Sequence, residues 1–271
     1  MIEIKDLHYS YSKQEAPVLN GLDLHIEPGQ WLAVVGRNGS GKSTLARCLN
    51  GLFLPDSGSV LVDGMDTADE SKLYSIRERV AFVFQNPDNQ LVATSVEDDI
   101  AFGLENLGIP REEITARVEQ ALSVMRLTAK RDKPPHLLSG GEKQRVAIAG
   151  AIAMASTYLV LDEPTAMLDP LMRLEVDSLT RLHREQGLTV IYVTNIMEEV
   201  LLADRVVLLD QGRVAKDCTP AELFSDPAYL IAQGLDAPQI SYLAGRLADA
   251  GYESLRGALA VDELADRLCR I

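Results

Sequence analysis

A glycine-rich segment at residues 36–44 has the composition and spacing of a phosphate-binding loop. It reads Gly-Arg-Asn-Gly-Ser-Gly-Lys-Ser-Thr and matches the pattern G-x-x-x-x-G-K-[ST] between an apolar run and a helical pattern. The glycines let successive backbone N–H groups point at one anion, and the following helix adds partial positive charge there. We expect Lys42 to reach the β- and γ-phosphates of a nucleotide and Ser43 to offer its hydroxyl to Mg²⁺. The residues expected to form this loop are Gly36, Asn38, Gly39, Ser40, Gly41, Lys42, Ser43 and Thr44.

Two adjacent carboxylates, Asp162 and Glu163, directly follow the apolar run at residues 158–161. Ligands of open α/β sheets collect at the carboxyl ends of the strands. We expect Asp162 to bind Mg²⁺, directly or through water, and Glu163 to polarise an attacking water as a general base. A lone Asp-Glu pair after a strand is often only a solvated turn, but the phosphate loop upstream favours the catalytic interpretation.

The elements that must position these residues can be read from the apolar pattern. Residues 31–35 form a continuous apolar run, which is typical of a strand buried on both faces of a parallel sheet. Similar runs at 158–161, 189–193 and 205–209 alternate with helical stretches and predict a parallel α/β core. Short alternating runs before residue 27 predict additional strands, and long helical patterns between about 95 and 153 predict a helical insertion.

Composition excludes several classes of protein. The formal net charge of −14 repels phosphate backbones and argues against nucleic-acid binding. Three widely spaced cysteines favour reduced thiols over a disulfide framework or a zinc site. The longest uncharged run, residues 146–161, is shorter than the roughly 18 residues of a membrane span. We therefore expect that any membrane role of this chain requires a partner.

The segment Ser139-Gly140-Gly141-Glu142, which lies 23 residues before Asp162, resembles the signature motif of ABC ATPases. Its residues can begin a helix whose exposed N–H groups and serine hydroxyl face an anion. An ordinary helix cap is the alternative for this segment alone. In ABC proteins the anion is the γ-phosphate of ATP bound by the other subunit. The resemblance therefore implies a P-loop NTPase core of the ABC type, with ATP held between two chains.

Four further positions carry the same resemblance. Tyr11 precedes the phosphate loop at the distance of the aromatic residue that stacks on adenine, although alone it would be an ordinary strand residue. Gln85 matches the glutamine that senses Mg²⁺ and contacts the membrane partner. Asp169 matches the loop that crosses the dimer interface. Asn195 lies where the family normally carries a histidine.

A narrower resemblance, to energy-coupling-factor transporter ATPases, is carried by residues 85–91, 96–106 and 141–150. In that group a short helix bearing the equivalent of Gln90 couples the ATPase to the membrane. The group imports vitamins, or cobalt and nickel. The resemblance implies a peripheral protein on the cytoplasmic face of the cell membrane. Its implied partners are a second ABC ATPase, an integral membrane coupling subunit and a substrate-binding membrane subunit.

Asn195 departs from the family pattern, and the four histidines of the chain lie elsewhere. A histidine would donate to the γ-phosphate and align water with Glu163, whereas asparagine donates only a neutral hydrogen bond. By analogy with oxyanion-hole deletions, the loss is expected to cost about 2–4 kcal/mol, or roughly 10²–10³ in rate. Pairing with an unlike, intact ATPase is favoured, because vitamin transporters of this group typically use two unlike ATPases. Two alternatives remain. The chain forms a homodimer in which Glu163 suffices for hydrolysis, or it is an engineered variant.

The resemblance divides the chain into an ABC ATPase domain at 1–217 and a helical extension at 218–271. The domain is predicted to be α/β, with an antiparallel β subdomain and a helical signature subdomain at about 90–153. The extension is expected to contribute dimer contacts. The alternative functions are those of an ATPase of another transporter class or of a non-transport ABC ATPase in DNA repair or translation. The short helical insertion, the acidic balance and the single cassette argue against the non-transport functions.

Overall fold

The computed structural model describes residues 1–12, 14, 16–165, 179–180, 183–185 and 187–270. The strands in these residues are β1 (Ile2–Tyr9), β2 (Leu19–Ile26), β3 (Trp31–Val35), β4 (Ser57–Val62), β5 (Met65–Asp66), β6 (Val80–Val83), β7 (Tyr158–Asp162), β8 (Thr189–Val193), β9 (Arg205–Asp210) and β10 (Arg213–Cys218). The helices are α1 (Lys42–Cys48), α2 (Leu73–Arg79), α3 (Val96–Asn106), α4 (Arg111–Val124), α5 (Gly140–Ala153), α6 (Met197–Val200), α7 (Pro220–Phe224), α8 (Pro227–Ala232), α9 (Gln239–Asp249) and α10 (Val261–Leu268). Single 3-10 turns occur at Glu70–Lys72, Pro87–Asn89, Thr128–Lys130, Pro135–Leu137 and Glu253–Leu255.

Six strands form the central sheet in the order β10-β9-β3-β8-β7-β6. The strands from β9 to β6 in this order pair in parallel, and β10 adds an antiparallel edge. Val35 lies opposite Leu208, and Asp162 lies opposite Val193. The carboxyl ends of β3, β6, β7 and β8 therefore lie at one edge of the sheet, where the candidate site residues follow them.

The central strand β3 is buried on both faces, as its continuous apolar run predicts. Trp31, Ala33 and Val35 pack into one hydrophobic cluster with the helical side of the molecule. Leu32 and Val34 pack into a second cluster with the antiparallel sheet and α1. Because successive side chains of a strand point to opposite faces, this one strand contributes to both cores.

A second, antiparallel sheet has the order β2-β1-β4-β5. Its inward residues, among them Ile2, Leu22 and Val60, are fully buried in the second cluster. The predicted strands before residue 27 are therefore confirmed as a β subdomain that covers one face of the central sheet.

The helices α3, α4 and α5 pack against one another and form the predicted helical subdomain. Ser95 caps α3 by accepting a hydrogen bond from the backbone N–H of Asp98. The inward faces of these helices, including Ile100, Leu122 and Val146, join the first hydrophobic cluster. The helical subdomain is therefore continuous with the core of the central sheet.

The first helices after β10 pack against the ATPase core, beyond residue 217, where the sequence predicts the boundary of the helical extension. Strand β10 continues to Cys218, and α7 and α8 contribute Phe224 and Leu230 to the first hydrophobic cluster. A separate small cluster begins only with α9 and includes Ala244 and Leu264. The physical reason is burial: the first helices of the expected extension cover apolar surface of the ATPase core.

Candidate active site

The phosphate loop at residues 36–41 joins the end of β3 to the start of α1. Gly36 has φ 150°, and a β-carbon there would lie 2.3 Å from the carbonyl oxygen of Leu209. Strand β9 therefore packs so closely against the loop that only glycine fits at its first position. The exposed members of the loop are Arg37, Asn38 and Gly39, and the buried ones are Gly36, Ser40 and Gly41.

Lys42 extends back along the loop that precedes it. The side chain is buried, and Nζ donates to the carbonyl oxygens of Gly36 at 2.7 Å and Arg37 at 3.3 Å. Burial lowers the pKa of Lys42, and the nearby carboxylates Glu163 and Asp162 oppose this shift. The ammonium group therefore lies inside the curled backbone, where it can face an anion.

Asp162 ends β7 and is 1% exposed. Its Oδ1 accepts a hydrogen bond from Ser43 Oγ at 2.8 Å. Its Oδ2 is buried and accepts no hydrogen bond from any residue that the structure describes. Burial raises the pKa of Asp162, and the hydrogen bond from Ser43 opposes that change. A buried carboxylate oxygen without a donor, next to a serine hydroxyl, suits a hard divalent cation, so these residues fit Mg²⁺.

Glu163 follows Asp162 in a turn with φ 46°, a conformation that few non-glycine residues adopt. Its backbone N–H donates to the carbonyl oxygen of Val193 at 2.9 Å, which fixes the turn against β8. Burial raises the pKa of the Glu163 carboxyl, Lys42 lowers it, and the charge of Asp162 raises it further. The pKa is shifted upward overall, which makes the carboxylate a better proton acceptor near neutral pH.

Side-chain amides hold both oxygens of the Glu163 carboxylate. Gln85 Nε2 donates to Oε2 at 2.7 Å, and Asn195 Nδ2 donates to Oε1 at 3.0 Å. The same Asn195 nitrogen lies 3.2 Å from Asn38 Oδ1, which connects the carboxylate to the phosphate loop. The structure therefore brings together residues from four separate strand ends. Asp169, the candidate from the interface loop, lies outside the described residues.

Tyr11 lies beside the phosphate loop with 55% of its surface exposed. Its hydroxyl is 3.0 Å from Oγ1 of the buried Thr44 in α1. The edges of Tyr9 and Phe53 contact the ring, with centroids at 5.5 and 5.7 Å. A supported and exposed aromatic ring at this place can stack on a nucleotide base.

Ser139 begins α5 with a capping box. Its Oγ accepts from the N–H of Glu142 at 3.3 Å, and Glu142 Oε2 accepts from the N–H of Ser139 at 2.9 Å. Lys130 pairs with the same Glu142 carboxylate. Gly140 is exposed and Gly141 is half-buried in the first turn. Within the described part of the chain, no hydrogen bond joins residues 139–142 to the phosphate loop, as expected of a site assembled from two chains.

Gln90 ends the short turn Pro87–Asn89, and its side chain is directed inward. Its Oε1 accepts from the N–H of Phe84 at 3.2 Å, and its Nε2 donates to the carbonyl oxygen of Ala147 at 3.4 Å. Gln90 therefore connects the end of β6, one residue before Gln85, to the helix that begins with the Ser139 segment.

Sequence reasoning missed two residues that strengthen this connection. Lys143 Nζ pairs with Asp88 at 2.6 Å, and the fully buried Gln144 donates to the carbonyl oxygen of Phe84 at 3.3 Å. A buried amide in a helix otherwise rich in alanine and isoleucine is a signal that the sequence does contain. The position of Gln85 is therefore physically linked to the start of α5.

Several known proteins of similar sequence are ATP-binding proteins of energy-coupling factor transporters. A family profile described as ABC transporter matches residues 19–166. The energy-coupling factor transporter ATP-binding protein EcfA1 of Symbiobacterium thermophilum is 51% identical over 100% of this chain and 97% of its own length. The protein of the same name from Caldanaerobacter subterraneus is 50% identical over 100% of this chain and 99% of its own.

Two solved structures have the same fold. The structure of cbiO1 from Clostridium perfringens, part of the ABC transporter complex cbiONQ, superimposes with TM-score 0.75 and 37% identity. It covers 89% of this chain and 97% of its own. The dimeric structure of MJ0796, a bacterial ABC transporter cassette, has TM-score 0.76 and 29% identity, and covers 81% and 99%.

These similarities confirm the ABC-type P-loop fold and the predicted resemblance to ABC transporter ATPases. They also confirm ATP hydrolysis coupled to transport. The chain is an ATP-binding protein whose family works with membrane partners. No helix in the described residues is long and apolar enough to cross a membrane. The chain therefore belongs to the ABC transporter family and, within it, to the energy-coupling factor transporter ATP-binding proteins.

Proposed function

We propose that this chain binds MgATP at residues 36–44, hydrolyses it with Glu163 as the general base, and thereby energises uptake of a vitamin or a transition-metal ion. One observation carries the proposal. Both oxygens of the Glu163 carboxylate are held by Gln85 and Asn195, next to the buried Lys42 ammonium and the Ser43–Asp162 pair. A fixed carboxylate next to a phosphate loop is the arrangement required to orient an attacking water.

Glu163 accepts the proton of that water in this mechanism. The two amides orient the carboxylate without neutralising it, since neither amide carries a charge. The upward shift of the Glu163 pKa raises its affinity for the proton at the moment of attack. Lys42 supplies positive charge to the transferred phosphate, and the N–H groups of residues 36–41 bind the remaining phosphate oxygens.

Ser43, Asp162 and Gln85 are proposed to hold Mg²⁺. The hydroxyl of Ser43 and the unpartnered Oδ2 of Asp162 are the oxygen atoms best placed for it. Gln85 would offer Oε1, since its Nε2 donates to Glu163. When bound, the cation would neutralise negative charge on the β- and γ-phosphate oxygens.

The complete site is proposed to form between two chains. Ser139, Gly140 and Gly141 of one chain would face the γ-phosphate bound to the phosphate loop of the other, and Glu142 would hold the start of the helix. Tyr11 would stack on the adenine, and Asp169 would contribute to the contact between the chains. We propose an unlike second ATPase as the partner, because Asn195 supplies only a neutral donor where a cationic side chain would strengthen the site.

The membrane partner is proposed to contact the Gln85–Gln90 segment. In this segment Gln90 contacts α5 through a hydrogen bond, and Lys143 of α5 pairs with the segment in turn. A movement of the segment would therefore displace Ser139 relative to the nucleotide bound by the partner. The proposed partners are an integral membrane coupling subunit and a substrate-binding membrane subunit, with this chain peripheral on the cytoplasmic face. Residues 218–271 are proposed to add contacts between the two ATPases.

The test is steady-state ATP hydrolysis by the purified chain as a function of its concentration, with Glu163→Gln as the blank. Activity that rises faster than linearly with concentration and is lost in the blank supports hydrolysis by a homodimer and rejects the need for an unlike partner. ATP binding with turnover no higher than in the blank supports a site that needs a second ATPase. Failure to bind MgATP at all would overturn the proposal.

A further inference from the structure

Glu199 in α6 is a buried carboxylate with both oxygens engaged. It is 8% exposed. Its Oε1 accepts a hydrogen bond from Thr165 Oγ1 at 2.5 Å, and its Oε2 accepts one from Thr194 Oγ1 at 2.7 Å. A charged group removed from water is strongly unfavourable unless such donors compensate it. These two short bonds therefore hold the carboxylate and the two threonines in a defined arrangement.

The two threonines belong to the two segments that carry the proposed reaction. Thr194 directly precedes Asn195, and its backbone N–H donates to the carbonyl oxygen of Val34 at 3.2 Å. Thr165 is two residues beyond Glu163, after the end of β7. Glu199 therefore joins the turn of the general base to the turn of the amide that orients it.

The chemistry of this contact requires a carboxylate. Thr194 Oγ1 accepts from the N–H of Ile196 at 3.0 Å, so its single proton is directed to Glu199. Thr165 also donates to the same carboxylate. An ionised carboxylate accepts on both oxygens, whereas a glutamine offers one acceptor and turns a donor toward the other hydroxyl.

We propose that Glu199 is a positioning residue for ATP hydrolysis, which fixes Glu163 and Asn195 relative to each other through Thr165 and Thr194. The proposal depends on the proposed function of Glu163. Glu199 makes no hydrogen bond to residues 36–44 in the described part of the chain, so its role is in turnover rather than in nucleotide binding.

The experiment compares Glu199→Gln with Glu198→Gln in the full chain. Glu198 is exposed, lies in the same helix and has the same chemistry, so it is a matched control. We expect Glu199→Gln to lower kcat by roughly 10- to 100-fold, because a displacement of about 1 Å near a reacting group can cost roughly 100-fold. The KM for ATP should change less than about twofold, since the phosphate loop is untouched. Glu198→Gln should retain the kcat and KM of the unaltered chain.

Thr165→Val and Thr194→Val keep the test decisive if Glu199→Gln does not fold, because each removes one hydroxyl and keeps the side-chain shape. Each should lower kcat, and the double variant should lower it by less than the product of the single effects. If the unaltered chain alone binds MgATP without turnover, every variant is assayed with the second ATPase present. An unaltered chain that does not bind MgATP would contradict the proposed function itself. An active chain in which Glu199→Gln, or both threonine variants, keep a normal kcat would overturn the role of Glu199 alone.

Discussion

Replacing Asn195 by histidine is the most informative single perturbation of the site. Asn195 is exposed, so a larger imidazole ring can be accommodated there. Its Nδ2 donates to Glu163 at 3.0 Å and to Asn38 at 3.2 Å. The substitution therefore changes the charge of a donor that already contacts the base and leaves the rest of the site in place.

The expected gain follows from these contacts. A site without any donor at this position would lose roughly 10²–10³ in rate. Since Asn195 already donates to Glu163, the histidine adds charge to an existing hydrogen bond. Charge roughly doubles a hydrogen bond that is worth about 1 kcal/mol. A gain of about 1–1.5 kcal/mol in the transition state corresponds to roughly a tenfold rise in kcat.

The assay is steady-state ATP hydrolysis at saturating MgATP, with Asn195→Ala as the control and Glu163→Gln as the blank. Asn195→His should raise kcat about tenfold, and Asn195→Ala should lower it about 100-fold because both hydrogen bonds are lost. An alanine variant as active as the unaltered chain would show that Asn195 does not orient Glu163. A histidine variant that gains nothing would show that charge at this position does not limit the rate.

Three other substitutions test the fold around the site. Asp217→Asn should destabilise the chain by about 0.5–1 kcal/mol at pH 7, because the pair with Arg205 is bidentate at 2.7 and 2.5 Å, whereas the Asp217 side chain is 37% exposed and water screens the pair. The hydrogen bond from Arg205 lowers the pKa of Asp217, so this contribution is present above pH 3.8 and should disappear in urea titrations as the pH falls further. Gly36→Ala should abolish MgATP binding, measured by fluorescence of a bound analogue, because its β-carbon would lie 2.3 Å from the Leu209 oxygen. Gln90→Ala should lower Tm by about 2–4 °C in thermal unfolding, because it removes the acceptor of one backbone N–H and the donor to α5.

Two of these predictions have a control in the chain. Gly64→Ala also places a side chain at a positive φ, here 80°, but with nothing within 4 Å of the new carbon, so the variant should bind MgATP normally. Asp262→Asn removes an exposed carboxylate that forms no ion pair within the described residues and should leave the urea midpoint nearly unchanged. A loss of stability in Asp217→Asn that does not depend on pH would contradict the role of the ion pair with Arg205. An unchanged Tm in Gln90→Ala would contradict the role of the Gln90 hydrogen bonds.

The sequence predicted the parallel core and the phosphate loop because both depend on local patterns. A continuous apolar run at residues 31–35, followed by glycines and a lysine, leaves few alternatives for the backbone. The order of the segments then placed Asp162 and Glu163 at the same sheet edge, since parallel strands end together.

Contacts between distant side chains were not predictable in the same way. The hydrogen bonds from Gln85 and Asn195 to Glu163 join residues 78 and 32 positions apart, and no periodicity encodes them. Glu199 is one of two adjacent glutamates, and only packing makes it the buried one. The packing of α7 and α8 against the ATPase core was not predictable either, because their apolar residues are those of any small helical unit. What they cover depends on the tertiary fold.

The hydrogen bonds of Lys42 affect how a common experiment should be interpreted. Its ammonium bridges the carbonyl oxygens of Gly36 and Arg37, so the lysine is a structural cross-link of its own loop. Lys42→Ala would remove this cross-link together with the phosphate contact, and the freed loop would gain conformational entropy. A loss of nucleotide affinity in that variant therefore combines a missing charge with the cost of reordering a backbone segment.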